Sequence, residues 1–307
     1  MEYQVIILGS GPAGLTAAIY ASRSRLTTLV VAGLEVGGQL MLTTDVEDFP
    51  GFPEGTQGPV LMANMKTQAE KFGTEFVVGN AKKVDFTAKP FKVWVGDNEY
   101  SGESIIIATG ASSMWLGMES EKRLIGKGVS ACAVCDGAFF RDKSVVVIGG
   151  GDTAIKDALF LTKFADNVVV IHRRDQLKAI KANQEKAFAN PKIKFVWNST
   201  VEEFLGDNKL TGVKLKNTID GTISTLECDG AFVAIGHQPN TQFLDGQVEM
   251  DEKGYIRLYD SSKTNVEGVF VAGDVHDISY KQAITAAGAG CKAALDAEEY
   301  LEKQNLR

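Results

Sequence analysis

Two stretches of the chain share one order of apolar and polar segments. The first contains a predicted buried strand over Gln4–Leu8, a glycine-rich loop, a helix to about Ser24 and a second strand over Leu26–Val31. A short apolar run that leads through glycines into a helical pattern is typical of a parallel strand followed by its crossover helix. The pattern predicts a βαβ unit in this first stretch.

The same order returns in the middle of the chain. We predict a strand over Ser144–Ile148, a helix to about Ala165 and a strand over Asn167–Ile171, again with glycines between the first strand and the helix. Each unit also closes on an apolar strand that ends in glycine, Ile105–Gly110 in the first and Phe232–Gly236 in the second. Repetition of a whole supersecondary pattern indicates an internal duplication.

A further apolar strand, predicted over Gly268–Ala272, is followed by a helix over about Lys281–Lys303. Both come after the second unit has ended, so the simplest topology returns them to the first unit. We therefore predict an α/β protein with two Rossmann-like, three-layer ββα nucleotide-binding domains, the second inserted into the first. The predicted discontinuous domain covers 1–114 and 243–307, and the inserted domain covers 115–242.

Composition excludes several classes of protein. Of the 307 residues, 44% are hydrophobic, which is enough for two buried cores. The net charge of −7 has the wrong sign for a dedicated nucleic-acid binder, and no apolar run reaches the roughly 18 residues of a membrane span. Four cysteines are too few for a disulfide-stapled secreted scaffold. We expect a cytoplasmic protein that binds neither nucleic acid nor membrane, since no basic leader precedes the first strand.

The first glycine loop, Gly9–Gly14, has the dinucleotide-binding form Gly-x-Gly-x-x-Gly between a strand and a helix. Its backbone N–H groups and the helix N-terminus favour a phosphate. No acidic residue ends the second strand, where a ribose-binding carboxylate is usual. A nucleotide as large as FAD would gain its other contacts from later segments, for which Gly37–Leu40 and the Gly273-Asp274 turn are candidates.

The second glycine loop, Gly149–Ala154, has the form Gly-x-Gly-x-x-Ala, and basic residues stand where the ribose-binding acid is usual. Two guanidinium groups at that place bind a phosphate bidentately, which favours NADPH over NADH. Lys178 adds a cation one helical turn onward. We predict NADPH contacts from Gly149, Gly151, Asp152, Thr153, His172, Arg173, Arg174, Lys178, Ile235 and Gly236.

Cys132 and Cys135 form a C-x-x-C pair shortly before the second glycine loop. Such a pair is half of a metal site or a redox couple. A metal site needs two more ligands, and Cys228, Cys291 and the three histidines form no second pair, so we predict no metal. In a redox couple one thiolate attacks a partner disulfide and its neighbour resolves the mixed disulfide. Asp136 is placed to carry a proton, and we expect Cys228 and Cys291 to be buried packing residues.

Two nucleotide folds and one redox pair predict a path for two electrons. NADPH supplies a hydride, and a flavin can accept it and pass both electrons to sulfur. The predicted route runs from NADPH through FAD to the Cys132–Cys135 disulfide and on to a disulfide of another protein.

Taken together, these motifs resemble those of the low-molecular-weight, bacterial-type thioredoxin reductases over the whole chain. The segments that carry the resemblance are Gly9–Gly14, Gly37–Leu40, Ala108–Gly110, Cys132–Gly137, Gly149–Ala154, His172–Arg174, Gly236–Asn240, Gly273–Asp274 and Gln282–Ile284. The resemblance implies an NADPH-dependent flavoprotein that reduces thioredoxin, forms a homodimer and rotates its inserted domain.

The resemblance also implies residue roles. Cys135 would face the flavin, Cys132 would attack thioredoxin and Asp136 would be the general acid. The FAD contacts expected from the motifs and the resemblance are Gly9, Ser10, Gly11, Pro12, Ala13, Gly14, Gly38, Gln39, Leu40, Asp48, Val84, Ala108, Thr109, Gly110, Gly273, Asp274, Lys281, Gln282 and Ala283.

The chain departs from the usual pattern of these reductases at four positions. Asp48 stands where an asparagine often meets the flavin, and Val134 stands where threonine is common between the cysteines. Lys178 and Lys281 replace frequent arginines, which keeps the charge but removes the bidentate fork.

The dithiol and the NADPH site share one domain, and both must reach one flavin. We therefore predict two domain poses, with hinges in Ser113–Glu119 and Gln238–Phe243. Two other functions stay open from the residues: reduction of a different thioredoxin-like or peroxidase-linked disulfide protein, and a non-catalytic flavin-binding redox sensor. The sensor would bind FAD without consuming NADPH.

Overall fold

The structure, a computed structural model, describes residues 2–43 and 45–305. The strands are, in chain order, β1 Glu2–Leu8, β2 Thr28–Val31, β3 Asp45–Val46, β4 Thr56–Gln57, β5 Glu75–Val77, β6 Ala81–Asp85, β7 Phe91–Val95, β8 Asn98–Ile107, β9 Ala111–Ser113, β10 Val129–Ser130, β11 Ser144–Ile148, β12 Asn167–Ile171, β13 Ile193–Val196, β14 Ser199–Leu205, β15 Gly212–Asn217, β16 Ile223–Glu227, β17 Gly230–Val233, β18 His237–Pro239 and β19 Val269–Val271. The helices are α1 Pro12–Arg23, α2 Gly58–Lys71, α3 Glu119–Leu124, α4 Ala133–Asp136, α5 Asp152–Leu161, α6 Lys181–Ala189 and α7 Ala283–Asn305.

The chain divides into two compact units. The divisions fall between Ser112 and Ser113 and between His237 and Gln238, so the first unit is built from two separate stretches of chain. The sequence-based boundaries, at residues 114 and 242, lie a few residues further along the chain. Strands β9 and β18 carry the chain from one unit to the other.

The first unit contains a parallel sheet in the order β5-β2-β1-β8-β19. The amino-terminal half of β8 also pairs with β7, and β7 with β6, in an antiparallel meander. Because β19 pairs with β8, the strand predicted over Gly268–Ala272 does return to this unit.

Two apolar layers enclose the parallel sheet of the first unit. Val5 and Ile7 of β1 pack with residues of α1 and α7, whereas Ile6 and Leu8 pack with residues of the β6-β7 meander. Successive side chains of a strand point to opposite faces. A strand buried on both faces is therefore apolar at every position, which explains the continuous run seen in the sequence.

The second unit repeats this plan. Its parallel sheet has the order β10-β17-β11-β12-β13, and β14, β15 and β16 form an antiparallel meander. Val145 and Val147 of β11 pack with α5, and Val146 and Ile148 pack with the meander side. The duplication predicted from the sequence is thus present in the strand order of both units.

Among the described residues, none of the helices combines the length and apolar character that crossing a bilayer requires.

Candidate active site

The first glycine loop connects β1 to α1 at the carboxyl end of the parallel sheet. Gly9 has φ +113°, and a Cβ there would lie 2.2 Å from the carbonyl oxygen of Ala108 at the end of β8. Only glycine allows both the backbone angle and this approach. The contact brings Ala108, Thr109 and Gly110 beside the loop.

Ser10 ties the glycine loop to the neighbouring segment. Its Oγ donates to the carbonyl oxygen of Ala32 at 2.6 Å and accepts from the N–H of Gly37 at 3.0 Å. Gly38 follows with φ +63°, and a Cβ on it would lie 3.4 Å from Cα of Gly11. The predicted Gly37–Leu40 segment therefore lies against the glycine loop.

The Gly273-Asp274 turn reaches the same place from the other end of the chain. A Cβ on Gly273 would lie 2.9 Å from Cβ of Ala13, in α1, and 3.6 Å from Cβ of Ala286, in α7. The turn is thus bracketed by the first turns of both helices. Lys281 and Gln282 directly precede α7, and Ala283 is its first residue, so the structure brings these expected FAD segments together.

This arrangement fits the phosphate and ribityl portions of FAD. A Cβ on Gly11 would meet nothing within 4 Å, so the loop leaves open space at the N-terminus of α1. The first turn of α1 has no acidic residue. The N–H groups of a first helical turn have no intrahelical acceptor, and together with the helix dipole they favour an anion there.

Asp274 is a half-buried carboxyl group of this site. Burial raises its pKa to about 6, the nearby charge of Asp277 adds to the shift, and the charge of Lys281 opposes it. Lys281 has φ +51°, and its Nζ lies 3.3 Å from the hydroxyl oxygen of Tyr255. A carboxyl held in this way can bind hydroxyl groups of a ligand.

Two expected FAD contacts lie elsewhere in the first unit. Val84 is only 2% exposed and packs in the core with Phe86 and Phe91, so its side chain is part of the apolar layer. Asp48 is exposed on the loop between β3 and β4. The packing around the first glycine loop involves neither residue, so the FAD contacts of Val84 and Asp48 stay predictions.

Asn240 holds the end of β8 in place, a role that the sequence did not reveal. Its Nδ2 donates to the carbonyl oxygen of Thr109 at 2.9 Å, and Thr109 Oγ1 donates to the carbonyl oxygen of Asn240 at 2.7 Å. The N–H of Asn240 also donates to the carbonyl oxygen of Gly110 at 3.0 Å. Thr109 and Asn240 are far apart in sequence, so no local pattern predicts their contact. The only sequence signal was that Asn240 belongs to the Gly236–Asn240 motif.

The second glycine loop repeats the geometry of the first. Gly149 has φ +151°, and a Cβ there would lie 2.4 Å from the carbonyl oxygen of Ala234 at the end of β17. A Cβ on Gly151 would meet nothing within 4 Å, which leaves space at the N-terminus of α5. Ile235 and Gly236 directly follow Ala234, so they lie beside this loop and not in the core.

His172 supports the second loop from beneath. A Cβ on Gly150 would lie 2.3 Å from Nδ1 of His172, and the ring is 7% exposed. Nε2 of His172 lies 3.0 Å from the carbonyl oxygen of Gln176. Burial lowers the pKa of His172, and the charges of Arg173 and Arg174 lower it further. The lowered pKa favours the neutral ring, and His172 supports the loop by packing beneath Gly150.

The cations expected at the 2′-phosphate are exposed. Arg173, Arg174 and Lys178 lie on the loop after β12. The carbonyl oxygen of Arg174 accepts from the N–H of Asn198 at 3.2 Å, which fixes the backbone while the side chains stay accessible. Thr153 is also exposed, in the first turn of α5.

Cys132 and Cys135 form a disulfide with an S–S distance of 2.16 Å. Cys132 precedes α4, and its Sγ accepts from the N–H of Cys135 at 3.2 Å. Such a donor at a helix N-terminus stabilises a thiolate, which favours Cys132 as the attacking sulfur after reduction. Asp136 follows on α4, and its N–H donates to the carbonyl oxygen of Cys132 at 3.1 Å.

The other two cysteines differ in burial. Cys228 is 5% exposed, as predicted, and burial raises the pKa of its thiol to about 12. Cys291 was expected to be buried but is only half-buried, because it lies on the face of α7 that meets the exposed Tyr20 of α1. Among the described residues, no group of three or more His, Cys, Asp or Glu side chains is arranged to hold a metal ion.

The sequence matches the pyridine nucleotide-disulphide oxidoreductase family over residues 3–290. It is 52% identical over 305 residues to the thioredoxin reductase of Rickettsia conorii, with 98% of each chain covered. It is 51% identical over 300 residues to that of Streptomyces coelicolor, with 97% of this chain and 93% of that one covered. Among solved structures, the thioredoxin reductase from Giardia duodenalis matches with a TM-score of 0.94 at 45% identity, over 98% of this chain and 99% of that one.

Proposed function

The chain belongs to the pyridine nucleotide-disulphide oxidoreductase family, and on that premise we propose that it reduces oxidised thioredoxin with electrons from NADPH, by way of FAD and the Cys132–Cys135 disulfide. One observation carries the proposal. A disulfide at the N-terminus of α4 lies in the same unit as the second glycine loop, so the electron acceptor and the NADPH-binding motif are parts of one unit.

The residues of the first unit would hold FAD. The N-terminus of α1 and the loop before it receive the pyrophosphate, and Asp274 accepts hydrogen bonds from ribityl hydroxyls. In the second unit, the space at Gly151 receives the pyrophosphate of NADPH, while Arg173 and Arg174 bind its 2′-phosphate. When both cofactors are bound, NADPH supplies a hydride and FAD passes the two electrons to sulfur.

The cysteine pair then performs the exchange. Two electrons and two protons convert the Cys132–Cys135 disulfide to a dithiol. The thiolate of Cys132 attacks the disulfide of thioredoxin, and Cys135 attacks the resulting mixed disulfide, which re-forms the Cys132–Cys135 bond and releases reduced thioredoxin. Asp136 takes up and returns a proton of the dithiol.

The test follows NADPH oxidation with thioredoxin and an aromatic disulfide dye, in the wild type and in Cys135→Ser. We expect the variant to lose dye reduction by at least about a thousandfold, because the resolving sulfur is gone, while NADPH still bleaches its flavin. Cys291→Ser is the matched control and should keep the wild-type rate, since Cys291 lies outside the pair.

Three results would contradict the proposal. They are a purified protein without flavin, a flavin that NADPH does not bleach, and a Cys135→Ser variant that still reduces the dye. Activity with another disulfide protein but not with thioredoxin would instead identify a different partner. The homodimer and the cytoplasmic location stay predictions, and sedimentation of the purified protein tests the first of them.

A further inference from the structure

A carboxylate stands at the place where the second glycine loop receives an anion. Asp152 is the first residue of α5, directly after the capping residue Gly151. In the proposed function this helix N-terminus meets the pyrophosphate of NADPH. A free carboxylate there would repel the pyrophosphate and weaken binding. The corresponding first turn of α1 has no acidic residue.

The Asp152 carboxylate is turned to a segment further along the chain. Its Oδ1 accepts from the N–H of Ile180 at 3.0 Å and from Nδ2 of Asn183 at 2.8 Å. These partners lie just before and within the first turn of α6. One carboxylate oxygen thus joins the start of α5 to the start of α6.

The basic residues Arg173, Arg174 and Lys178 lie in the loop that leads to Ile180. The carbonyl oxygen of Gly150 accepts from the N–H groups of Lys178, at 2.7 Å, and Ala179, at 3.2 Å. Ala179 is 5% exposed and belongs to the core on the helix side of the sheet. We define residues 173–180 as the basic segment. The carboxyl end of this segment is therefore held against the glycine loop by hydrogen bonds to Gly150 and Asp152.

We propose that Asp152 is a positioning residue for cofactor selection: it holds the basic segment against the glycine loop, so that the cations meet the 2′-phosphate while the loop meets the pyrophosphate. The inference rests on the proposed use of NADPH. The positioning role belongs to Oδ1 of Asp152 as a hydrogen-bond acceptor and not to the negative charge. A neutral amide oxygen at the same place can accept the same two hydrogen bonds.

The test compares Asp152→Ala with Asp152→Asn in the FAD-loaded enzyme. The alanine variant loses both hydrogen bonds, and we expect its ratio of kcat/KM for NADPH to that for NADH to fall by about tenfold. The asparagine variant keeps an acceptor oxygen and should stay within about twofold of the wild-type ratio. Removal of the charge affects both cofactors alike, because both carry the pyrophosphate, so the ratio isolates the geometric effect.

A binding measurement gives a second readout. Calorimetry of the holoenzyme with 2′,5′-ADP and with 5′-AMP reports the 2′-phosphate contact without turnover. We expect Asp152→Ala to weaken 2′,5′-ADP by about tenfold and to leave 5′-AMP nearly unchanged.

The decisive experiment introduces Asp152→Ala into the Arg173→Ala/Arg174→Ala variant and measures the same NADPH to NADH ratio. If Asp152 acts through the basic segment, the added substitution should change the NADPH to NADH ratio by less than about twofold there. An undiminished effect in that background would overturn the proposal, as would an unchanged ratio in Asp152→Ala alone.

Asn183→Ala keeps the proposal testable if Asp152→Ala does not fold. This substitution removes one of the two hydrogen bonds and leaves the glycine loop intact. We therefore expect the ratio of kcat/KM for NADPH to that for NADH to fall by about threefold. A wild-type enzyme that does not oxidise NADPH would overturn the proposed function instead. The two failures are therefore distinguishable.

Discussion

At the scale of single residues, Asp274 shows how a binding site reduces the stability of its own fold. Its pKa is raised to about 6, mainly by burial, so the folded protein binds a proton that the unfolded chain releases near pH 4. Stability from this group is complete below the unfolded pKa and is lost as the pH rises through the folded one. At neutral pH the ionised carboxylate is a cost to the folded state.

We therefore expect Asp274→Asn to stabilise the flavin-free protein at pH 8 by up to about 3 kcal/mol, and to have little effect at pH 4. Urea unfolding at the two pH values measures the difference. The same variant should hold FAD more weakly, because a neutral amide is a weaker acceptor for ribityl hydroxyls. Equal FAD affinity in both proteins would contradict the assignment of Asp274 to the flavin site.

Single residues also show what the sequence could and could not predict. Gly9, Gly149 and the cysteine pair are visible because each is required by local backbone geometry or by its own chemistry. Asn183 and Asn240 were not assigned roles, because their partners lie 31 and 131 residues away. Contacts of that separation depend on the folded arrangement of β8, α5 and α6, which no local pattern encodes.

At the scale of elements, the close packing of α1 and α7 depends on a residue without a side chain. A Cβ on Gly290 would lie 2.0 Å from the carbonyl oxygen of Ala13, a backbone atom that has no room to move. Ala293, Ala294 and Ala297 continue the small-residue face of α7 in the same core. The helix can therefore approach α1 closely beside the first glycine loop.

Gly290→Ala should destabilise the first unit by about 1–3 kcal/mol, since it overpacks the helix contact. It should also accelerate flavin loss on heating. Gly288→Ala is the matched control, because a Cβ there meets nothing within 4 Å and alanine is the better helix former by about 1 kcal/mol. Thermal unfolding followed by flavin fluorescence measures both variants. Equal melting temperatures for them would contradict the packing argument.

Element existence was predicted better than element ends. Strands β11 and β12 have the predicted bounds, but α5 ends at Leu161 and not near Ala165. Lys192 explains the early end, because its Nζ donates to the carbonyl oxygens of Thr162 and Ala165 and so replaces helical hydrogen bonds. Likewise α7 begins at Ala283, after Lys281 has taken a left-handed backbone conformation that a helix cannot include.

At the scale of the whole molecule, the chain contains one plan twice. Each unit combines five parallel strands with an antiparallel meander, and in each a glycine packs against the carbonyl oxygen of an alanine that directly follows the strand beside the central one, β8 or β17. The repeated motifs made this plan predictable from the sequence. The redox pair has no counterpart in the first unit among the described residues, so the two units differ in the chemistry that their own side chains can perform.

The two-pose mechanism is tested by joining the units covalently. We expect a reversible cross-link between one introduced cysteine in each unit to abolish steady turnover, because the dithiol and NADPH must reach the flavin in turn. Cleavage of the linker should restore activity. Each single-cysteine variant, treated with the same reagent, is the control, and full turnover in the linked protein would contradict the two poses.

The return of β19 and α7 to the first unit sets an order of assembly on the ribosome. Residues of the second unit are all synthesised before β19 and α7 emerge, so that unit can fold while the first still lacks a sheet strand and the helix beside its glycine loop. Flavin capture then becomes a late event of biosynthesis. A translation arrest shortly before α7 would leave a nascent chain with a folded second unit and no yellow colour.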